Sequence, residues 1–197
     1  SFTKLQQVHP GFTPRGVLTF ALQLSGPQYN GPQPVLAAYR AIWDRLGALP
    51  GVRSAGGCSD LPLTDSPAWT PISIEGRTPP PGEKFINADL RVVASRYFET
   101  MEIPLVRGRR FTEQDVAGQP GVTIVDERLA REYWPDQDPV GKRLRRGGID
   151  STNPWLTVVG VVGRIKHESL DSDPRIAFYL PHAQVPARAM NVVVRSD

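Results

Sequence analysis

Twenty prolines are spread along the 197 residues of the chain, and they limit how far any helix or strand can run. Proline has no backbone N–H to donate, and inside a helix its ring clashes with the preceding turn. Its share of the residues is about twice the usual value of about 5%. Because the prolines are scattered between apolar segments and not gathered in one low-complexity tract, the sequence predicts a globular fold that prolines punctuate.

Residues 34–49 carry the strongest helical pattern in the sequence. A proline stands in the first turn, apolar side chains recur every three or four positions, and a Pro-Gly pair ends the pattern. Strands are predicted on both sides of this helix, at 16–25 and 52–57, so the segment forms a βαβ unit or its split variant. The first strand is expected to have one buried face, formed by Leu18, Phe20 and Leu22.

Eight further strands are predicted from short apolar runs. They cover residues 69–74, 85–93, 103–106, 122–125, 141–144, 155–162, 176–180 and 190–195. Asp126 is placed to cap another helix, over residues 127–134. Strand, helix and strand occur in this order around 16–57 and again around 122–162, which favours two α+β subdomains over one large sheet.

Residues 94–112 are predicted to form a short capped helix, a stop and a short strand. Ser95 is placed to cap the helix, and Pro104 prevents the helix from continuing. Thr112 then opens a turn with Asp115. The apolar side of this helix is formed by Tyr97, Phe98 and Met101.

Charge and cysteine content exclude several classes of function. The net charge is only +3, and the charged residues are mixed in sign, so no footprint for nucleic acid is present. The single cysteine excludes an internal disulfide framework and a multi-cysteine metal site. The longest apolar run, residues 155–163, is far shorter than a membrane helix requires, and no signal peptide is recognisable. We expect a soluble segment that is cut from a longer protein.

A thiol–imidazole pair is the nearest approach to a catalytic group. Cys58, or Ser59 beside it, could pair with His167 or His182 in a hydrolase. A lone cysteine next to a strand is more often a small core residue, and we favour that reading. The histidines are far apart and each lies next to a turn, so they are interpreted as surface or loop residues and not as metal ligands: His9, His167 and His182.

Phosphate and calcium motifs are also incomplete. Residues 139–143 lack the first glycine and the hydroxyl of a phosphate-binding loop. The carboxylates at 136–138 and 171–173 are spaced as in calcium loops, but a proline follows each pair and indicates an Asp-Pro turn. The residues alone therefore predict no catalytic, cofactor-binding or metal site.

The densest positive charge is the one candidate partner surface. It could bind phosphates or an acidic partner, although Glu113, Asp115 and Asp150 dilute it and a solvated cluster at strand ends is the favoured reading. This basic cluster consists of Arg107, Arg109, Arg110, Lys142, Arg143, Arg145 and Arg146.

Taken in order, the segments resemble the periplasmic core domain of MacB-like, FtsX-type ABC transporter permeases. The resemblance covers almost every residue, and it is closest to the second extracytoplasmic domain of long permeases that carry two such regions. Any one segment is weakly specific, whereas their order is highly specific. The segments that carry it are residues 1–12, 48–55, 61–63, 74–77, 97–111, 125–135, 138–144, 155–163 and 179–181.

The resemblance implies an α+β fold with a porter-like βαβ subdomain and a small inserted α/β subdomain of the Sabre type. Residues 1–12 would be a membrane-proximal tail, 13–94 and 165–197 the porter-like part, and 95–164 the Sabre-like insertion. In the family, the last strand is followed by a further helix and strand. The second βαβ unit is therefore expected to be truncated, with an exposed apolar face or edge at residues 190–195.

The resemblance also implies a non-catalytic module without cofactors. It would lie outside the inner membrane, in the periplasm, and relay ATP-driven conformational change to a substrate or partner there. An ABC ATPase subunit or domain would be its partner through membrane helices, with an envelope adaptor or a second permease copy as further candidates. Residues 97, 98, 101 and 104 would form the structural joint between the subdomains. The alternative is a sensor domain that binds a ligand or peptide.

Overall fold

The computed structural model describes residues 11–63, 69–165 and 175–197. Within these ranges the predicted α+β class and all ten predicted strands are confirmed. The strands are β1 (Val17–Gln23), β2 (Val52–Cys58), β3 (Trp69–Ile74), β4 (Ile86–Ser95), β5 (Leu105–Gly108), β6 (Val122–Asp126), β7 (Arg143–Arg146), β8 (Leu156–Val162), β9 (Ala177–Pro181) and β10 (Ala189–Ser196). The α-helices are α1 (Pro32–Gly47), α2 (Tyr97–Thr100) and α3 (Glu127–Tyr133).

Some sequence-based expectations lie outside the described residues. These are most of the membrane-proximal tail, up to residue 10, the histidines at 9 and 167, and the Asp-Pro turn at 171–173. Among the helices within the described ranges, none combines the length and apolar content that a membrane crossing needs.

Strands β1 and β2 with helix α1 form the split variant of the βαβ unit. Strand β10 is antiparallel to both β1 and β2, so it lies between two strands that run parallel to each other. Helix α1 buries Val35 and Tyr39 against this sheet, together with Met190 of β10. The amphipathic pattern that predicted the helix therefore marks the face that covers the sheet.

The expectation of an uncovered strand at residues 190–195 is wrong. Met190, Val192 and Val194 are buried, and they pack in clusters that include residues of α1. The physical reason is that β10 is central in this sheet, so the helix lies over it. Apolar side chains are exposed instead on the edge strand β1, where Leu18 is 65% and Phe20 is 40% exposed. The buried face expected there from Leu18, Phe20 and Leu22 is therefore wrong. That the second βαβ unit is truncated stays a prediction.

Six strands close into a ring. Their order is β4, β3, β7, β8, β6 and β9, and β9 pairs in parallel with β4 to complete the circle. Alternate side chains of these strands point into the ring and form one apolar core. Leu129 and Trp134, from α3 and its C-terminal cap, belong to the same core. The core of the ring includes Ile72, Ile74, Ile86, Leu144, Val158, Val161, Phe178 and Leu180.

The ring draws strands from both sides of the expected subdomain boundaries. Strand β3 belongs to the porter-like range 13–94 and pairs with β7 of the Sabre-like range 95–164. Strand β4 is shared, because its first part pairs with β3 and β9 and its last part pairs with β2. The division of the chain into a porter-like and a Sabre-like subdomain therefore stays a prediction that rests on the sequence.

Helix α2 is a single turn that packs between the two parts of the sheet. Tyr97, Phe98 and Met101 are buried, as the apolar pattern predicted. The Phe98 ring contacts Tyr97, Phe111 and Tyr179 edge-on or tilted, at centroid distances of 5.6, 6.5 and 5.1 Å. These contacts join α2 to β9 of the ring.

The capping role predicted for Ser95 is wrong. Residue 96 is the N-cap of α2, and no side chain bonds to the helix there. Ser95 is the last residue of β4 and has a φ of 53°. Left-handed backbone at this position turns the chain from the strand directly into the helix, which leaves no room for a capping geometry. The turn predicted at Thr112 is confirmed, because the Thr112 amide donates to the Asp115 carboxylate at 2.8 Å.

Asp126 is a buried carboxylate at the start of α3. The predicted cap is confirmed, since its Oδ1 accepts a hydrogen bond from the Leu129 amide at 2.8 Å. The side chain lies at the end of β6 and is almost fully buried. Burial raises the pKa of Asp126 from 3.8 to about 7, against the lowering effect of its backbone hydrogen bonds.

Replacing Phe98 by Ala should lower the free energy of unfolding by on the order of 3 kcal/mol or more, because the ring is buried and a cavity would remain. Phe20 is the matched control. Its ring is 40% exposed on an edge strand, so Phe20→Ala should cost about 1 kcal/mol or less. Urea unfolding of both variants gives the comparison. A Phe98→Ala loss below about 1 kcal/mol would contradict the role of α2 as a joint.

The stability of the chain should fall as pH rises through the range in which Asp126 ionises. The folded state keeps this carboxyl protonated up to about pH 7, whereas the unfolded state releases the proton near pH 4. In the wild type, this difference should lower the free energy of unfolding by up to about 1.4 kcal/mol per pH unit between these values. Asp126→Asn should remove that slope. Urea unfolding at pH 5, 6 and 7 measures that slope.

Asp115→Asn is the control for this titration. The pKa of Asp115 is lowered, since the hydrogen bonds from Arg109 and Thr112 outweigh the raising effect of burial. Its contribution to stability is present above its ordinary pKa and is lost only as pH falls below that value. Asp115→Asn should lower stability evenly from pH 5 to 7. An unchanged slope in Asp126→Asn would contradict the assignment to Asp126.

Candidate functional site

The two halves of the predicted basic cluster meet along one edge of β8. Strand β7 pairs with the beginning of β8, through Arg143 and Thr157. Strand β5 pairs with its end, through Arg107 and Val161. The sequence separates these halves by more than thirty residues, and the sheet brings them together. The cluster is thus one continuous surface, although ion pairs within the chain occupy much of its charge.

The arginines of the β5 half all have acidic neighbours in the chain. Arg107 pairs with Asp138 at 3.5 Å, and Arg110 lies 3.7 Å from Glu99. Arg109 donates two hydrogen bonds to the carboxylate oxygens of Asp115, at 2.7 and 2.9 Å. A bidentate pair of this kind is strong and directional.

The Arg109–Asp115 pair fixes the loop after β5. The hydrogen bond from Arg109 helps to hold the pKa of Asp115 below its ordinary value, although burial acts in the opposite direction. The same carboxylate raises the pKa of Arg109. Because Asp115 also accepts from the Thr112 amide, the Arg109 guanidinium closes a turn and already has an acidic partner, although its side chain is 45% exposed.

The β7 half is built around Trp155. The guanidinium carbon of Arg145 lies 4.5 Å from the centroid of the Trp155 ring, and that of Arg143 lies 5.8 Å away. Arg143 also forms a bidentate pair with Glu75 of the turn after β3, and this hydrogen bond lowers the pKa of Glu75. Arg145 donates to the Ile149 carbonyl at 2.7 Å. The two arginines are thus held by aromatic, acidic and backbone partners.

Lys142 and Arg146 differ from the rest of the basic cluster. Both are exposed, and neither forms an ion pair with any residue in the part of the chain that the structure describes. Arg146 uses only its backbone carbonyl, which accepts hydrogen bonds from Ser151 and Asn153. The charge that remains available to a partner is therefore that of Lys142 and Arg146, at the two ends of β7.

The geometry around Cys58 does not favour nucleophilic chemistry. Its thiol donates to the Asp60 carbonyl at 3.3 Å, and burial raises its pKa to about 12. It packs in the cluster that contains Tyr97, on the face of the sheet opposite α1. At neutral pH the thiol is protonated, and only the thiolate is a strong nucleophile. Cys58 is a core residue, as the favoured reading predicted.

His182 is buried, so its interpretation as a surface residue is wrong, although it does lie in a loop, the turn after β9. It is only 4% exposed, and its ring makes an edge contact with Tyr39 at 5.1 Å, on the side of α1. The Ala187 amide donates to its Nε2 at 3.0 Å, which closes the turn after β9. Burial lowers the pKa of His182, so the ring is neutral at pH 7. Cys58 packs with Tyr97 on the face opposite α1, whereas His182 contacts Tyr39 on the side of α1, so the two do not form a pair.

Two cavities of about 400 Å³ each lie on the surface of the described residues. The first is lined by Thr13, Glu102, Glu127 and Arg164, among others, and borders the end of α2. The second lies beside α3, where it is lined by several charged side chains of both signs. Within the described ranges, no group of three or more histidine, cysteine or acidic side chains is arranged to hold a metal ion.

Two buried arginines were not singled out by the sequence patterns. Arg91 of β4 is 1% exposed, and its nearest carboxylate oxygen, on Asp60, is 3.9 Å away. Arg195 of β10 is 5% exposed and is well satisfied, since it donates to the carbonyls of Thr13, Arg15 and Thr100. The sequence signal for Arg195 was a charged residue directly after the apolar run 190–194, a pattern that indicates only the end of a strand.

Comparisons with known proteins identify the family of this fold. The model of the family described as "MacB-like periplasmic core domain" matches residues 11–197. The macrolide export ATP-binding/permease protein MacB of Neisseria gonorrhoeae is 30% identical over 104 residues, which is 53% of this chain and 15% of that protein. The probable syringafactin export protein SyfD of Pseudomonas syringae is 32% identical over 83 residues, or 42% of this chain and 12% of that protein.

Solved structures agree with the fold. The periplasmic region of MacB from Actinobacillus actinomycetemcomitans superposes with a TM-score of 0.59 at 16% identity, over 98% of this chain and 80% of that one. The extracellular domain of the ABC-type transporter YknZ from Gram-positive bacteria gives 0.53 at 16% identity, over 92% and 83%. The chain thus spans about four-fifths of each of these solved domains, but only about 15% of the length of the MacB protein that it matches.

Proposed function

Because the chain belongs to the family of MacB-like periplasmic core domains, we propose that it is the extracytoplasmic domain of an ABC transporter permease and that it relays ATP-driven motion. It is a non-catalytic part of an inner-membrane protein, and it lies on the periplasmic side. ATP is hydrolysed by a separate subunit or domain of the transporter. Motion reaches this domain through its connections to the membrane, and it leaves through the surface that meets a substrate or partner.

The observation that carries the proposal is that residues 11–16 contact both the end of β10 and the residue after α2. The Ser196 amide donates to the Gly16 carbonyl at 3.1 Å, so the leading segment (residues 11–16) and the end of β10 lie side by side. The Thr13 amide donates to the Met101 carbonyl at 3.0 Å, directly after α2. A displacement of the segments that connect to the membrane would therefore act on α2 and, through Phe98, on the ring.

A relay is favoured over a sensor because most charges of the basic cluster have partners within the chain. Most arginines of the basic cluster are paired within the chain or stacked on Trp155, so their charge is less available to a ligand. Ligand sites usually combine an enclosed apolar cavity with a few converging polar groups. The two cavities described above are lined mainly by charged and turn residues, some of which are paired with each other.

Lys142 and Arg146 are the part of the basic cluster that we propose for contact with a partner. An acidic face of an envelope adaptor, or of a second permease copy, has the complementary charge. Two exposed cations contribute mainly to the rate and orientation of encounter and little to affinity, because surface charges are screened by salt. Shape complementarity around Trp155 would supply the remaining specificity.

Nucleotide binding to the intact transporter should change how strongly the backbone amides of this domain are protected from hydrogen exchange. Amide hydrogen exchange is compared between the nucleotide-free transporter in lipid nanodiscs and the transporter trapped with ATP and vanadate. We expect a difference of at least about threefold in exchange rate at residues 11–16 and 97–103, because local opening at these contacts responds to small changes in free energy. A transporter with an inactivated ATPase is the control. Identical exchange in both nucleotide states would overturn the relay.

A sensor would bind a ligand through its basic residues, and a relay would not. We expect the chain to bind decaglutamate more weakly than about 1 mM at physiological salt in calorimetry, since two free cations supply little affinity. A low-micromolar affinity would favour the sensor, provided that it is lost in Lys142→Glu/Arg146→Glu. Arg40→Glu/Arg45→Glu, on the exposed side of α1, is the charge-matched control and should change nothing.

A further inference from the structure

Arg195 joins three segments that are distant in sequence. Its side chain is 6% exposed, and it lies at the end of β10 on the face opposite α1, as does Val193. Nε donates to the Thr100 carbonyl at 2.7 Å, Nη1 to the Arg15 carbonyl at 2.8 Å, and Nη2 to the Thr13 carbonyl at 2.6 Å. Each nitrogen of the guanidinium thus holds a different backbone oxygen.

These carbonyls belong to elements that need an external donor. Helix α2 has only four residues, so the carbonyl of Thr100 at its end has no following helical turn to bond with. The leading segment pairs with no strand over Thr13 and Arg15, and its carbonyls there depend on a side chain. A planar guanidinium, whose donors point in fixed directions, can bond to the carbonyls of α2 and of the leading segment at the same time.

Few other contacts tie the leading segment to α2. The Thr13 amide bonds to Met101, and Phe12 is buried in the cluster that contains Tyr97 and Phe98. The Glu102 carboxylate lies 3.6 Å from Nη1 of Arg195, and its side chain is 42% exposed. Arg195 therefore bonds to the leading segment and to α2 through its guanidinium, and to the sheet through its backbone.

We propose that Arg195 is a positioning residue that makes the leading segment and α2 move as one body, so that a displacement of residues 11–16 is transmitted to the joint. The proposal rests on the relay function proposed above. Arg195 touches no substrate, and its role is mechanical. Without it the leading segment would slide along β10 while α2 stays packed against the ring through Phe98.

The test repeats the nucleotide-dependent hydrogen exchange in the intact transporter with Arg195→Lys. Lysine keeps the charge, but a single ammonium cannot direct bonds to three carbonyls as the guanidinium does. We expect the exchange difference between the nucleotide states to persist at residues 11–16 and to fall at least about fivefold at residues 97–103. In either state alone, amides of α2 should exchange about tenfold faster, since one lost hydrogen bond is worth about that factor.

Control variants separate transmission from general stability. Arg53→Lys changes an exposed arginine on the neighbouring strand β2 that pairs with Asp197 at 3.8 Å, and it should leave every exchange rate unchanged. If Arg195→Lys fails to fold, Glu102→Lys replaces it, because this half-exposed position tolerates substitution and a lysine there repels the guanidinium. Its effect at residues 97–103 should have the same direction and be at least about twofold.

The outcomes distinguish the two proposals. If the wild-type transporter shows no nucleotide-dependent exchange in this domain, the relay function fails. If wild type shows it and Arg195→Lys keeps it undiminished at residues 97–103, the role of Arg195 is wrong and the relay stands. If Arg195→Lys speeds exchange equally in β6 and β8, the residue acts on global stability, and the proposed transmission is likewise wrong.

Discussion

The structure depends on the two different sets of hydrogen bonds that β4 makes along its length. Residues 86–93 belong to the closed ring, and residues 93–95 pair with β2 in the sheet that α1 covers. The chain then turns at once into α2, which packs directly on β2. Gly56 makes this approach possible, because a Cβ there would lie 2.7 Å from the Tyr97 Cα. The ring and the open sheet are therefore joined at one strand, one glycine and one helical turn.

The local pattern of the sequence was enough to predict the ten strands of the described residues, because most of them contain a short apolar or alternating run next to a turn. It could not predict which strands pair. Strand β10 lies between β1 and β2, and for this reason α1 covers it, while Leu18 and Phe20 are exposed at the edge. Ser95 shows the same limit at the scale of one residue, since pairing with Gly56 keeps it in the strand and excludes the capping geometry.

The candidate site was predictable as a set of charges but not as a set of interactions. Glu75, the partner of Arg143, lies 68 positions away in sequence. The carbonyls that Arg195 holds are 95, 180 and 182 positions away. Whether a cation is free or occupied is decided by contacts that the pattern does not show, whether distant, as for Arg143, or local, as between Arg109 and Asp115. That is why seven basic residues that looked equivalent in the sequence divide into five held residues and two available ones, Lys142 and Arg146.

Backbone strain is concentrated at the two ends of α2. Ser95 before it and Glu102 after it have φ values of 53° and 54°, in the left-handed region that costs a non-glycine residue on the order of 1 kcal/mol. The buried Phe98 ring and the Arg195 hydrogen bonds oppose this cost, since both would be lost if either residue relaxed. Helix α2 is thus held from one side by the ring, through Phe98, and from the other by β10, through Arg195. Because its own helical bonds are few, its position follows whichever of these contacts moves.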